Sequence, residues 1–120
     1  MRGVGALSTA TPFPVRLAAE QQLASLGEAA VPALAKAALG AATVRERRSA
    51  LRALGGTKTK AAIEPVVLAM ADSPDPWIRL SGRLAAEQLV RDLPAETAAL
   101  AKAIESSRGR ETDPLLKRLR

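Results

Sequence analysis

Residues Asp72 to Leu89 read DSPDPWIRLSGRLAAEQL. Asp75 before Pro76 is the clearest helix start in the chain: the carboxylate can accept N–H groups left open by the first turn, and proline suits the first helical position, where its missing N–H is not needed. An apolar residue and an arginine, Ile78-Arg79, follow. Weaker versions of this start occur at Val15-Arg16 in PVRLAAEQQLASLG, at Val44-Arg45 in TVRERRSALRALG and at Asp113-Pro114 in DPLLKRLR. One helical hairpin is therefore expected to be reused along the chain.

Working outward, Met1 to Thr11 lacks sustained periodicity and reads as an arm or loose cap, so the expected division is an arm over 1–13 and one domain over 14–120. Val15 to Leu26 forms a helix that Gly27 ends. In the next segment Val31, Leu34, Ala35 and Ala38 recur at i, i+3, i+4 and i+7, a helical stripe with Pro32 in the first turn, and Gly40 is the stop. Val44 to Leu54 ends at Gly55-Gly56. Ile63, Val66, Val67 and Met70 repeat the stripe with Pro65 near the start, and Thr57 or Thr59 is the candidate cap. Pro76 to about Arg91 follows, then Leu93 to about Ile104, a polar loop at SSRGRET, and a short last helix from Asp113.

Composition sets the class. Hydrophobic residues make up 48% of the 120 residues but aromatic ones only 2%, so burial must come from Ala, Leu, Val and Ile, and alanine is the best helix former. The fold class expected is all-α. Without cysteine there are no disulfides, thiolate metal sites or cysteine nucleophiles, which fits a reducing, cytoplasmic setting. Without histidine there is no usual zinc ligand, no Ser-His-Asp arrangement and no unperturbed side chain titrating between pH 5 and 8. Residues 1 to 14 lack the continuous apolar stretch of a signal peptide. The longest weakly charged stretch, Ala29 to Val44, is interrupted by Pro32, Lys36 and Gly40 and is too short to span a bilayer, so no membrane role is expected. The formal net charge of +6 permits an acidic partner and is also within the range of ordinary solubility charge.

Leu23-x-x-Leu26-Gly27 and Leu51-x-x-Leu54-Gly55 recur 28 residues apart, Pro32 and Pro65 recur 33 apart, and the apolar-Arg pairs start at 15, 44 and 78. Periods of this length belong to stacked repeats, because a two-helix hairpin cannot cover its own apolar stripe and must bury it against the next. These residues resemble HEAT-like repeats of the phycobilisome-lyase type: a proline-bearing first helix, an Asp-Pro-x-Val-Arg turn, and an Ala-rich second helix ending Leu-x-x-Leu-Gly. Asp75-Pro76-Trp77-Ile78-Arg79 carries the turn. The likeness covers about residues 14 to 120 and implies an α-solenoid of stacked antiparallel hairpins, right-handed, with about six helices and a short C-terminal seventh. Two joints depart from the pattern: no acidic residue precedes Val44-Arg45, and Gln88-Leu89-Val90-Arg91 stands where Leu-Gly is expected. In family terms Val15 to Leu26 is a second helix without a first, either the start of a minimal array capped by the arm or part of a longer one.

The resemblance also implies that the second helices, Val15 to Leu26, Val44 to Leu54 and Pro76 to Arg91, line one concave face. With Val15, Val44 and Ile78 as phase zero and about 100° per residue, one sector holds Arg16 and Glu20, then Arg45, Arg48 and Arg52, then Arg79 and Arg83. Arg16, Arg45 and Arg79 read most simply as a structural ladder to carboxylates and turn carbonyls. For Arg48 and Arg52 a solvated basic face and an anion-binding face are equally open readings. Arg47 falls in the apolar sector, where it must reach solvent or meet a carboxylate across the hairpin. Trp77 reads as a packing residue of the Asp-Pro turn, and Lys117, Arg118 and Arg120 as charges near a helix C-terminus.

The expected function is a non-catalytic protein-interaction or scaffold module that takes a partner of acidic character at Arg45, Arg48, Arg52, Arg79 and Arg83. The alternative is electrostatic, sequence-nonspecific nucleic-acid binding by the same helices; a DNA-repair branch of HEAT-like proteins cradles DNA concavely. With one Trp, one Phe and no Tyr, base stacking has little to work with, so such binding would be mainly to phosphates. No enzyme is expected. HEAT-like metal oxygenases use His-Glu pairs, no histidine is present, and no glycine-rich phosphate loop or nucleophile elbow occurs. A bilin-lyase role has only the repeat in its favour. No metal, cofactor or small-molecule substrate is predicted.

Overall fold

Two helices of the protein start from side-chain N-caps, and a proline stands in the equivalent place before a third. The computed structural model describes residues 12–111 and Pro114. Among them are six α-helices: α1 Phe13–Ser25, α2 Val31–Gly40, α3 Val44–Gly55, α4 Ile63–Asp72, α5 Pro76–Asp92 and α6 Thr97–Arg110. Short 3-10 turns at Gly27–Ala30, Lys60–Ala62 and Pro94–Glu96 lead into α2, α4 and α6, and no strand occurs among the described residues. The all-α expectation holds. Residues 1–11 of the expected arm, and the short last helix apart from Pro114, with Lys117, Arg118 and Arg120, lie outside the described residues. No described helix is long and apolar enough to cross a membrane.

At α5 the Asp75 carboxylate accepts the N–H groups of Trp77 at 2.8 Å and Ile78 at 3.2 Å, with Pro76 first in the helix. At α3 the joint that lacks an acid is made by Thr43: its hydroxyl oxygen accepts the Glu46 N–H at 3.1 Å and donates to the Glu46 carboxylate at 2.9 Å. A threonine followed three residues later by glutamate is a capping-box pair, so threonine fills the aspartate's place. Pro12 stands in the same position before α1. The three caps, Pro12, Thr43 and Asp75, are 31 and 32 residues apart, a more even period than the apolar-Arg pairs indicate.

This register moves one arginine. The residue four beyond each cap is Arg16, Arg47 or Arg79, and its backbone N–H bonds the cap carbonyl at 3.0, 3.1 and 3.1 Å. Arg79 donates to the carbonyls of Ser73 and Pro74, at 3.0 and 3.1 Å, and Arg47 donates to the carbonyl of Ala41 at 2.7 Å. Arg47, rather than Arg45, is therefore the counterpart of Arg79 at the turn. Its place in the apolar sector is resolved by this bond to the turn that precedes its own helix.

Helices α1, α3 and α5 touch in succession, as do α2, α4 and α6, and each of α3 and α5 also packs on the helix before it. One core runs through both rows: Leu23, Leu34, Leu51, Leu54, Val66, Met70, Ala86, Leu89 and Leu100 are all fully or almost fully buried. The helices come close enough for this because glycine stands at two crossings. A Cβ on Gly55 would lie 2.9 Å from Ala85 Cα, and one on Gly82 would lie 2.8 Å from Met70 N. Gly27, with φ of 62°, takes the left-handed conformation that ends α1.

The sequence expectation of a loop at SSRGRET is corrected: α6 continues to Arg110. Ser107 is buried, Arg108 pairs with Glu87 of α5 at 2.8 Å, and Glu111 just past the helix end is buried against Arg79. Tertiary partners on α5 thus hold a polar, glycine-bearing turn in helical form against its weak intrinsic propensity.

Two glycine substitutions separate these packing effects. Gly82→Ala is expected to lower stability by about 1–3 kcal/mol, because overpacking on the Met70 backbone outweighs the propensity gained. Gly109→Ala, whose Cβ would meet nothing within 4 Å, is expected to raise it by up to about 1 kcal/mol. Urea unfolding followed by circular dichroism measures both.

Candidate functional site

Along α3, Arg45, Arg48 and Arg52 follow one another at i, i+3 and i+7 and so share one face. The face opens into a groove of about 680 Å³ whose walls come from α1 and α5: Phe13, Arg16, Val44, Arg45, Arg48, Arg52 and Trp77 line it. Among the described residues, no carboxylate is part of that lining.

Each cation is held differently. The Arg48 guanidinium lies 5.3 Å from the Trp77 ring centroid, and its Nε donates to the Ser81 hydroxyl at 2.7 Å. Burial lowers its pKa from the ordinary arginine value; the nearby charge of Arg52 and, more weakly, that of Arg45 act the same way, while Asp75 opposes them. The group stays protonated at any physiological pH, so the direction of the shift means that Arg48 is held charged where a charge is costly. An anion in the groove would relieve that cost. Arg52 is half exposed and meets the buried Glu20 of α1 through Nε at 3.5 Å. Arg45 is exposed and makes no ion pair among the described residues. Arg16 is buried, with its guanidinium 5.7 Å from the Phe13 ring centroid.

Of the five arginines expected to bind a partner, the structure gathers three. Arg45, Arg48 and Arg52 line the groove; Arg79 and Arg83 do not. Arg79 forms a two-pronged ion pair with Glu111, Nε to Oε2 at 3.2 Å and Nη2 to Oε1 at 3.0 Å, besides its turn carbonyls. Arg83 is 1% exposed. The reason is helical phase. Arg79, Arg83 and Glu87 are spaced i, i+4 and i+8, and the outer two of them meet Glu111 and Arg108 at the end of α6, so this stripe of α5 faces α6 and away from the groove. Counted from the caps, Trp77 of α5 stands where Arg45 stands on α3. The basic face is therefore narrower than a three-helix sector, and most of its charge is on α3.

Two aromatic residues were undervalued by the sequence. Trp77, expected to pack in the turn, is 40% exposed, and Phe13, counted with the N-terminal arm, starts α1 and is 53% exposed; both line the groove. They are the only aromatic side chains in the chain, and both stand within two residues of a helix cap, which is the signal that could have paired them. Ser81, which orients Arg48, carries no sequence signal of its own.

In comparisons with known proteins, no protein-family model matches the chain, and no curated protein or solved structure is found to be similar to it.

The division between structural and groove arginines can be measured. Arg79→Ala leaves a buried carboxylate without its two-pronged partner and is expected to lower stability by about 2–3 kcal/mol. Arg45→Ala removes only an exposed charge and is expected to change stability by less than about 0.5 kcal/mol. Equal losses in urea unfolding would contradict this division.

Proposed function

We propose that the protein is a non-catalytic protein-interaction module, a HEAT-like stack of helical hairpins whose groove over α3 holds an acidic segment of a partner protein. The observation that carries this reading is the row Arg45, Arg48 and Arg52, with a partly buried guanidinium at its centre and no carboxylate among the described residues of the groove lining. The alternating contacts of α1, α3 and α5, and of α2, α4 and α6, support the repeat reading, as does the even spacing of the caps. A chain without histidine or cysteine offers few groups for acid–base or nucleophilic work at neutral pH, and the absence of cysteine suits a cytoplasmic setting.

Nucleic-acid binding is a second reading, favoured by one observation: both aromatic rings are exposed at the groove, where a base could stack. It ranks below the first because Arg48 already lies over the Trp77 ring and Arg16 over the Phe13 ring.

The test compares polyglutamate and labelled duplex DNA as probes, with the wild type and with a variant carrying Arg45→Gln, Arg48→Gln and Arg52→Gln. Polyglutamate binding that falls about tenfold in the variant, and weakens with rising salt, is the expected result. Binding of polyglutamate unchanged by the three substitutions sinks the proposal. Stronger, arginine-dependent binding of the duplex would favour the second reading instead.

A further inference from the structure

The groove does not stop at Arg52. That residue also lines an adjoining hollow of about 440 Å³ between the C-terminal halves of α1, α3 and α5, bordered by Glu20, Gln21, Ser25, Gly56, Lys58 and Gln88. The two hollows meet at Arg52 and together follow α3, which with its 12 residues is about 18 Å long. An extended chain of about six residues covers that length. The two ends differ in chemistry: arginines and aromatic rings at one; amides, a single lysine and the Glu20 carboxylate already paired with Arg52 at the other.

Arg48 and Arg52 share a feature that tells what they can hold. Each is tied through Nε, Arg48 to the Ser81 hydroxyl at 2.7 Å and Arg52 to the Glu20 carboxylate at 3.5 Å. Neither guanidinium has another hydrogen bond or ion pair with a described residue. A guanidinium tied at Nε still offers its paired Nη donors, the edge that matches the two oxygens of one carboxylate. The two forks are four residues apart on α3, a rise of about 6 Å. In an extended peptide, side chains at i and i+2 point to the same side about 6.6 Å apart.

At the arginine end, Phe13, Val44 and Trp77 are exposed apolar groups around the cations, a place for one apolar side chain. At the other end, the amides of Gln21 and Gln88 each carry donors and an acceptor, the complement of a peptide group. Gly56 lies between them on the floor, where a Cβ would be 3.0 Å from that of Ala24 and 3.8 Å from Gln88 Nε2. Lys58 closes the far end with φ of 55°, an unfavourable backbone conformation for a non-glycine residue.

From this arrangement we infer that the channel along α3 is a recognition site for an extended acidic peptide segment in which two carboxylates, two residues apart, engage Arg48 and Arg52. An apolar residue before them rests among Phe13, Val44 and Trp77, and the backbone beyond them meets Gln21 and Gln88. This deepens the reading of an acidic protein partner and rests on it. A nucleic-acid strand fits less well, since it carries a phosphate at every nucleotide and favours a cationic track throughout. Past Arg52 the hollow is lined by the amides of Gln21 and Gln88 and by the Glu20 carboxylate, with Lys58 its one further cation among the described residues.

The experiment uses the full chain and the emission of Trp77, its sole tryptophan. The probes are an N-acetylated, C-amidated decapeptide with the core Leu-Gly-Glu-Ser-Glu and no other charged residue, an isomer with the two glutamates adjacent, and a thymidine trinucleotide, whose two phosphodiesters give it the same charge. The first peptide is expected to change Trp77 emission on binding, and the isomer, whose carboxylates point to opposite sides, to bind at least about fivefold more weakly. Arg48→Gln should weaken the first peptide about tenfold, and Gln21→Leu, at an exposed position, about threefold. Circular dichroism of each variant checks that it is folded. Equal binding of the two peptides, or no effect of Gln21→Leu in a folded variant, overturns the extended-segment proposal while leaving an acidic partner in place. Tighter, Arg48-dependent binding of the trinucleotide overturns the peptide class. Failure of all three probes and of polyglutamate overturns the underlying reading as well.

Discussion

The structure depends on how closely α5 is packed. It crosses α3 where Gly55 faces Ala85 and crosses α4 where its own Gly82 faces the Met70 backbone, and neither crossing has room for another carbon. A chain whose core is mostly alanine and leucine needs such approaches, because small side chains fill little space between helices and attraction falls quickly with any gap. With α5 seated against both neighbours, its remaining stripe of Arg79, Arg83 and Glu87 is turned to α6, and the salt bridges there are consequences of that seating. The face of α3 away from the core is left uncovered between α1 and α5. The groove is what this packing leaves open.

The caps explain why the helices arrive in the right places to pack. Most of this was legible: six helices, their glycine stops, and the early prolines of α2 and α4 follow from local rules that do not depend on distant residues. The register between units was harder to read. Pairing Val44-Arg45 with Ile78-Arg79 matches residue types but is two positions out from the caps, since Thr43 takes the part of Asp75. A threonine followed by Glu46 is a weaker signal than Asp-Pro, although its hydrogen bonds are of the same kind. Once the caps are aligned, Arg47 and Arg79 fall together and Arg45 is released from a structural part.

The site was legible only where one helix was enough to define it. Arg45, Arg48 and Arg52 lie on a single helix, and their common face follows from 3.6 residues per turn. Arg79 and Arg83 required knowledge of which side of α5 meets α6, and that is decided partly by Glu111, thirty-two residues beyond Arg79, in a stretch whose composition reads as loop. Trp77 and Phe13 were misread for a related reason. A lone aromatic residue in an alanine-rich chain is usually worth burying, but both stand at helix starts where the ring meets an arginine in place of a hydrophobic wall: Arg48 of the neighbouring α3 at Trp77, and Arg16 of the same helix at Phe13.

Net charge acquires a location in the folded protein. The formal charge of +6 is compatible with an evenly solvated surface, but several cations are paired locally: Arg79 with Glu111, Arg108 with Glu87 and Glu105, and Lys60 with Glu96. Such pairs cancel charge where they stand and leave little field beyond a Debye length. On α3 the cancellation is incomplete: Glu20 meets Arg52 at one end, while Arg48 is tied to a neutral hydroxyl and an aromatic ring and Arg45 to no acid. Neutral partners fix a guanidinium without reducing its charge. A fold that orients Arg48 by hydroxyl and ring, while pairing Arg79 and Arg108 with carboxylates, leaves positive potential along the groove over α3.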